Sequence, residues 1–172
     1  MKQMKVGRLM FHFPQDWVIS QYDSWKFYRE HFAKQKKSIK GVDLLAIAPD
    51  KIAYLIEVTD YNNPTMPAQV PLPVPKPTDL SGEITDKVFS TLAALLPARL
   101  HTKTPEEEAQ IAVAILGCHA LRVIAHIEPN GKFVDELANV KINLRRHLKA
   151  IDPQAGVVHM SMMGELPWSV ST

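Results

Sequence analysis

Asp43 and Glu57 are the two residues of this chain best placed to do chemistry. Each is the lone carboxylate inside an apolar run, Gly41-Val-Asp-Leu-Leu-Ala-Ile-Ala48 and Ile52-Ala-Tyr-Leu-Ile-Glu-Val-Thr59. Both runs read as buried β-strands, and a buried carboxylate is costly unless it is paired or holds a cation. Pro49-Asp50-Lys51 separates the runs and reads as a hairpin turn. A two-residue turn would set Asp43 opposite Ile56 and send the acids to opposite faces. A three-residue loop would set Ala48 opposite Ile52 and Asp43 opposite Glu57, with Cβ atoms roughly 5 Å apart. The second register is preferred, because it gathers Val42, Leu44 and Ala46 with Ile52, Tyr54, Ile56 and Val58 on one apolar face, and both acids at one end of the other. Carboxylates so close repel unless they share a proton or a divalent cation, and an all-oxygen pair suits Mg²⁺, with Mn²⁺ as a substitute. The plainer reading is a strand-edge acid ion-paired with Lys40 or Arg29.

The elements that must hold this pair follow from periodicity and capping. Leu9–Phe13 reads as a short opening strand or coil. A helix is predicted over Ser20–Gln35, with Ser20-x-x-Asp23 as a capping box and Tyr22, Trp25, Tyr28 and Phe32 on one side. Leu80, Ile84, Val88, Leu92 and Leu95 predict a helix over 80–97, with Lys87 at the edge of its apolar stripe. Thr104-Pro105-Glu106-Glu107 predicts a helix start, with Thr104 as N-cap. That helix carries Ala109, Ala112, Val113 and Leu116 on a broad apolar stripe, which fits either core or a dimer contact; a homo-oligomer is left open. Leu121–Ile127 is a predicted strand, Val134 to Leu148 a helix, and Val157–Met160 a last short strand. Asn63 to Thr78 holds six of the thirteen prolines and reads as an extended surface segment within a single domain spanning 1–172.

Composition narrows the classes. At 172 residues, 46% hydrophobic and 22% charged, the chain can bury a core and is not a disordered tail. Its apolar runs fall short of the ~20 residues of a membrane span. Met1 to Gly7 leads into no apolar segment of secretory type, and Cys118 is the single cysteine, so a reducing, cytoplasmic setting is expected. Residues 1–51 hold ten Lys and Arg against five Asp and Glu, whereas 52–172 hold ten against thirteen; a basic first third can attract polyanions. The seven histidines form no H-E-x-x-H, the serines no G-x-S-x-G, and no glycine-rich phosphate loop occurs. Trp25, Phe27, Tyr28 and Phe32 beside Lys26 and Arg29 fit core packing better than base stacking. Cys118-His119 diverge on a strand, and Arg145-Arg146 with Lys141 and Lys149 read as a solvated helix face.

Lys40-Gly-Val-Asp43, about a dozen mostly apolar residues and then Ile56-Glu57-Val58 resembles the core motif of the PD-(D/E)XK nuclease superfamily. The order of elements over roughly residues 20–161 is similar too. The resemblance implies a restriction-endonuclease-like α/β domain, a central mixed sheet flanked by helices. It implies Asp43 and Glu57 as Mg²⁺ ligands, Glu30 as a third acid, and metal-dependent phosphodiester hydrolysis of DNA. The family lysine two residues after the glutamate is replaced by Thr59, which carries no charge. A relocated lysine could come from Lys40, Lys87, or Lys36 and Lys37, with Lys87 preferred because a helix packed on the sheet can aim it at the acids. Without such a lysine, the chain would be a silent member of the fold that binds nucleic acid or a protein.

Overall fold

The computed structural model describes residues 1–35, 39–62, 75–101 and 103–172. β1 (Lys2–Val6) and β2 (Leu9–Phe13) form a hairpin that turns at Gly7, whose φ of +59° places it in the left-handed region. β3 (Val18–Gln21), β4 (Leu44–Ile47) and β5 (Ile52–Asp60) follow as an antiparallel meander. α1 (Pro77–Leu100) and α2 (Glu106–Leu116) cross back to β6 (Ala120–Glu128), which runs parallel to β5. α3 (Leu137–His147) then leads to β7 (Gly156–Val158), parallel to β6. The chain ends in β8 (Ser169–Ser171), antiparallel to β2.

Two sheets result, a mixed one in the order β3-β4-β5-β6-β7 and a smaller one in the order β1-β2-β8. Leu45, Ile47, Ala53, Leu55, Val123, Ala125 and Ile127 face a core made with Ile84, Val88 and Leu95 of α1, Ile115 of α2 and Val140 and Leu144 of α3. Residues of the opposite parity, Leu44, Ala46, Ile56, Ile124 and Val158, pack instead on Leu9, Phe11 and Phe13 of β2 and on Trp17 and Trp168. The protein is thus an α/β domain whose mixed sheet carries helices on one face. The second face, expected to hold helices as well, is covered by the small antiparallel sheet.

The N-terminal helix expected over 20–35 is replaced by β3 and a run of irregular turns. These are 3₁₀ at Tyr22–Ser24 and Ala33–Gln35 and π-type at Tyr28–Phe32. The capping box does not form because the Ser20 hydroxyl accepts a hydrogen bond from Trp25 Nε1 at 2.7 Å. Glu108 of α2 takes over the capping, accepting from Lys26 N at 2.8 Å and Phe27 N at 3.1 Å. Trp25 and Phe27 are buried in the helix-side core. α1 begins three residues earlier than its apolar stripe, with Pro77 at the first helical position. Pro105, not Thr104, is the N-cap of α2, and a 3₁₀ stretch at Gly131–Glu136 replaces the first turn expected of α3. Of the Pro-rich segment, residues 63–74 lie outside the described residues.

The hairpin adopts the three-residue loop. Leu44 pairs with Ile56 and Ile47 with Ala53, Ala48 N donates to Ile52 O, and Lys51 N donates back to Ala48 O. Lys51 takes φ +60° to close the loop, as expected where a type I turn is followed by a left-handed residue. Continuing that register by one position sets Asp43 opposite Glu57, on the face that α1 covers.

Candidate active site

Glu57 sits on the central strand β5 and is 2% exposed. Asp43 stands just before β4, held by its own neighbourhood: its Oδ2 accepts from Val58 N at 2.7 Å, and its carbonyl accepts from Tyr22 N. The chain entering Asp43 is pinned on both sides. Gly41 N donates to the Tyr28 hydroxyl and Val42 N to Thr91 Oγ1 at 3.0 Å. A side chain at Gly41 would strike the Tyr22 ring at 2.3 Å and press on Thr91, so this approach requires glycine.

Lys87 reaches the pair from α1. Its Nζ forms an ion pair with Glu57 Oε1. Glu83, one turn earlier, lies 4.0 Å from the same nitrogen, and Lys40 closes on Glu83 at 3.2 Å. Thr91, one turn after Lys87 and fully buried, donates to the Lys87 carbonyl at 2.8 Å while accepting from Val42. One hydroxyl therefore ties the turn that presents Lys87 to the strand that presents Asp43.

Asp43, Glu57, Glu83 and Lys87 line a pocket of about 330 Å³ at the C-terminal end of β5, together with Thr59, Asp60 and Tyr61. Asp60 is held by Arg8 through two hydrogen bonds of 2.6 and 3.2 Å. Burial, aided by repulsion from Asp43, pushes the Glu57 carboxyl up to about 8, against the pull of Lys87. Burial also raises Asp43, opposed by the Val58 amide and by Lys87. Lys87 loses hydration, but Glu57 and Asp43 more than compensate and its ammonium is held above its ordinary value. Burial and mutual repulsion thus favour a proton on the pair, the alternative to a cation that two adjacent carboxylates allow, and the Lys87 ion pair opposes it.

Among the described residues, no group of three or more His, Cys, Asp or Glu side chains converges as a metal site. The donor set for a cation is therefore the Asp43–Glu57 pair. It fits one: Glu57 Oε2 is buried and makes no hydrogen bond. Two carboxylates with water and phosphate oxygens completing the shell is a common arrangement for Mg²⁺.

The other sequence candidates lie elsewhere. Glu30 is exposed on the π-type turn and does not line the pocket. The regular helix expected to carry it does not form. Lys40 is exposed and engaged with Glu83, and Lys36 and Lys37 fall outside the described residues. Arg29 is exposed. Thr91 and Tyr61 were not singled out by the sequence. Thr91 stands four residues after Lys87, a spacing that places both on one helix face, and Tyr61 follows directly on β5.

No family model matches the chain, and no solved structure matches it. A cysteine–tRNA ligase of Neisseria meningitidis serogroup A is similar to it. The two are 25% identical over 204 aligned positions, which cover 96% of this chain and 29% of that protein. The chain thus spans under a third of that protein's length. The described helices include none long and apolar enough to cross a membrane.

Proposed function

We propose that the protein is a metal-dependent phosphodiesterase of restriction-endonuclease-like architecture that cuts DNA at the Asp43–Glu57 pair. The observation that carries this reading is Lys87, delivered from α1 onto Glu57 where the strand itself offers only Thr59. The antiparallel meander β3-β4-β5 followed by a helical crossover to parallel β6 supports the architecture.

In this mechanism Asp43 and Glu57 hold Mg²⁺, or Mn²⁺ in its place. A cation held there would supply a more acidic water and offset negative charge developing on the scissile phosphate. Glu57 would be ionised in that state, any proton on the pair having passed to solvent. Lys87, which Glu57 and Glu83 hold at the pocket, would place a positive charge beside the attacked phosphate and orient the water. Thr91 keeps the Lys87 turn in register with Asp43. Asp60, neutralised by Arg8, adds no free negative charge at the rim.

A second reading rests on the same ion pair. An ammonium seated on Glu57 satisfies that carboxylate without a cation, and a chain locked in this state binds nucleic acid or a protein without cutting. Mn²⁺ calorimetry and a cleavage panel separate the two. The panel holds supercoiled, linear and single-stranded DNA, and also tRNA, since the similar meningococcal protein is named for it. The phosphodiesterase reading expects Mn²⁺ binding that Asp43→Ala abolishes. It also expects cleavage that Lys87→Met lowers by about 10²-fold or more. Binding without cleavage of any substrate favours the silent form, and absence of Mn²⁺ binding removes the phosphodiesterase reading.

A further inference from the structure

α1 is apolar on two sides over its second half. Val88, Ala94, Leu95 and Ala98 are buried against the sheet and neighbouring helices. The outward ridge of the same stretch consists of Phe89, Ala93, Leu96 and Leu100, and Phe89, Leu96 and Leu100 are 51%, 52% and 67% exposed. From Val88 to Ala98 the sequence holds no charged residue. A helix that is hydrophobic all round is ordinarily buried all round, so this ridge lacks a neighbour among the described residues. Its spacing of four, three and four is that of a helix–helix seam, and the small Ala93 lets two backbones approach.

The ridge is continued by charges of opposite sign at its two ends. Asp79, Glu83 and Asp86 are exposed before it, while Arg99, His101 and Lys103 are exposed after it. We infer that this ridge joins two copies of the chain, α1 against α1 in antiparallel orientation about a two-fold axis. An isologous contact demands a patch complementary to itself, and this one is. With Ala93 facing the partner's Leu96, Phe89 faces the partner's Leu100, and Asp86 comes toward the partner's last helical turn, where Arg99 is exposed. A parallel pairing would instead set the acidic ends together. Val113 and Leu116 of α2 are exposed as well, the outward part of the stripe whose Ala112 is buried as core.

The inference is independent of the phosphodiesterase reading. It is tested by sedimentation equilibrium of the intact chain over a concentration series. The wild type is expected to dimerise, and Leu96→Glu is expected to weaken self-association by about tenfold or more. Because Leu96 is half exposed, its circular dichroism and unfolding midpoint should stay close to wild type, which separates loss of the contact from loss of the fold. Asp86→Lys should weaken the dimer, and adding Arg99→Glu should restore it. A chain monomeric at every concentration overturns the inference. So does a dimer indifferent to Leu96→Glu, and so does a charge pair that the double exchange fails to rescue.

Discussion

Glu57 is apolar in its surroundings and acidic in its chemistry, and the conflict sets a pH dependence. Its carboxyl lies near 4.5 in the unfolded chain and is pushed up to about 8 by burial and by Asp43 in the folded one. The folded state therefore binds this proton more tightly. The stabilisation it brings is complete below the unfolded value and is lost as pH rises through the folded one. In a chelating buffer the unfolding free energy should fall between about pH 4.5 and 8, with a slope of at most about 1.4 kcal/mol per pH unit. Glu57→Gln should flatten this window, leaving the contribution of Asp43, whose carboxyl burial also raises. Chemical denaturation at half-unit pH steps checks it, and an unchanged slope in the variant would place the proton elsewhere. Mn²⁺ should reverse the trend, because a cation rewards the ionised form. At this scale the sequence was informative. A lone acid in each of two apolar runs is visible in the letters, and loop length then decides whether the two meet. Glu30 was not legible, because its position depended on a helix that aromatic packing and the Trp25–Ser20 contact replace with irregular turns.

Between elements, the decisive contact is small. Thr91 accepts from Val42 N and donates to the Lys87 carbonyl, so α1 and the strand entry share one hydroxyl. Thr91→Val keeps the shape and removes both bonds, stranding the buried Val42 amide. That should cost about 1–3 kcal/mol. It should also weaken Mn²⁺ binding, since the phase of α1 relative to Asp43 is no longer fixed, whereas Thr91→Ser should retain most of both. Urea unfolding and calorimetry on the three proteins test this; a valine variant with wild-type stability and affinity would show that helix packing alone sets the phase. Amphipathic spacing predicted α1 and placed Lys87 at the edge of its buried stripe. It could not specify Thr91's partner, because hydrogen bonds across distant segments leave no periodic trace. The same holds for Glu108, which caps a turn some eighty positions earlier in the chain.

At the level of the whole molecule, the second sheet is the part the sequence concealed. β8 is three residues long and pairs with β2 at the other end of the chain, so no local pattern announces it. β1 alternates inward Met4 and Val6 with outward Gln3 and Lys5, but its polar content hides the strand. Yet this sheet closes the face of β4, β5 and β6 opposite the acids. Trp168 is the chief link: it is nearly buried, with ring centroids 5.4 Å from Phe13, 5.8 Å from Trp17 and 5.3 Å from Tyr54 of β5. Tyr54 stands on the same strand as Glu57, so the two layers share the element that carries the site. Trp168→Ala should therefore cost about 3–5 kcal/mol, a large part of the ~5–15 kcal/mol margin of a domain. It should do so through one cooperative transition with an unchanged denaturant slope. Fluorescence and far-ultraviolet dichroism followed together in urea distinguish the alternatives. Coincident curves mean the small sheet is part of the core that holds β5 in place, and an early fluorescence loss with the helical signal intact would mean that it is a cover the site can do without.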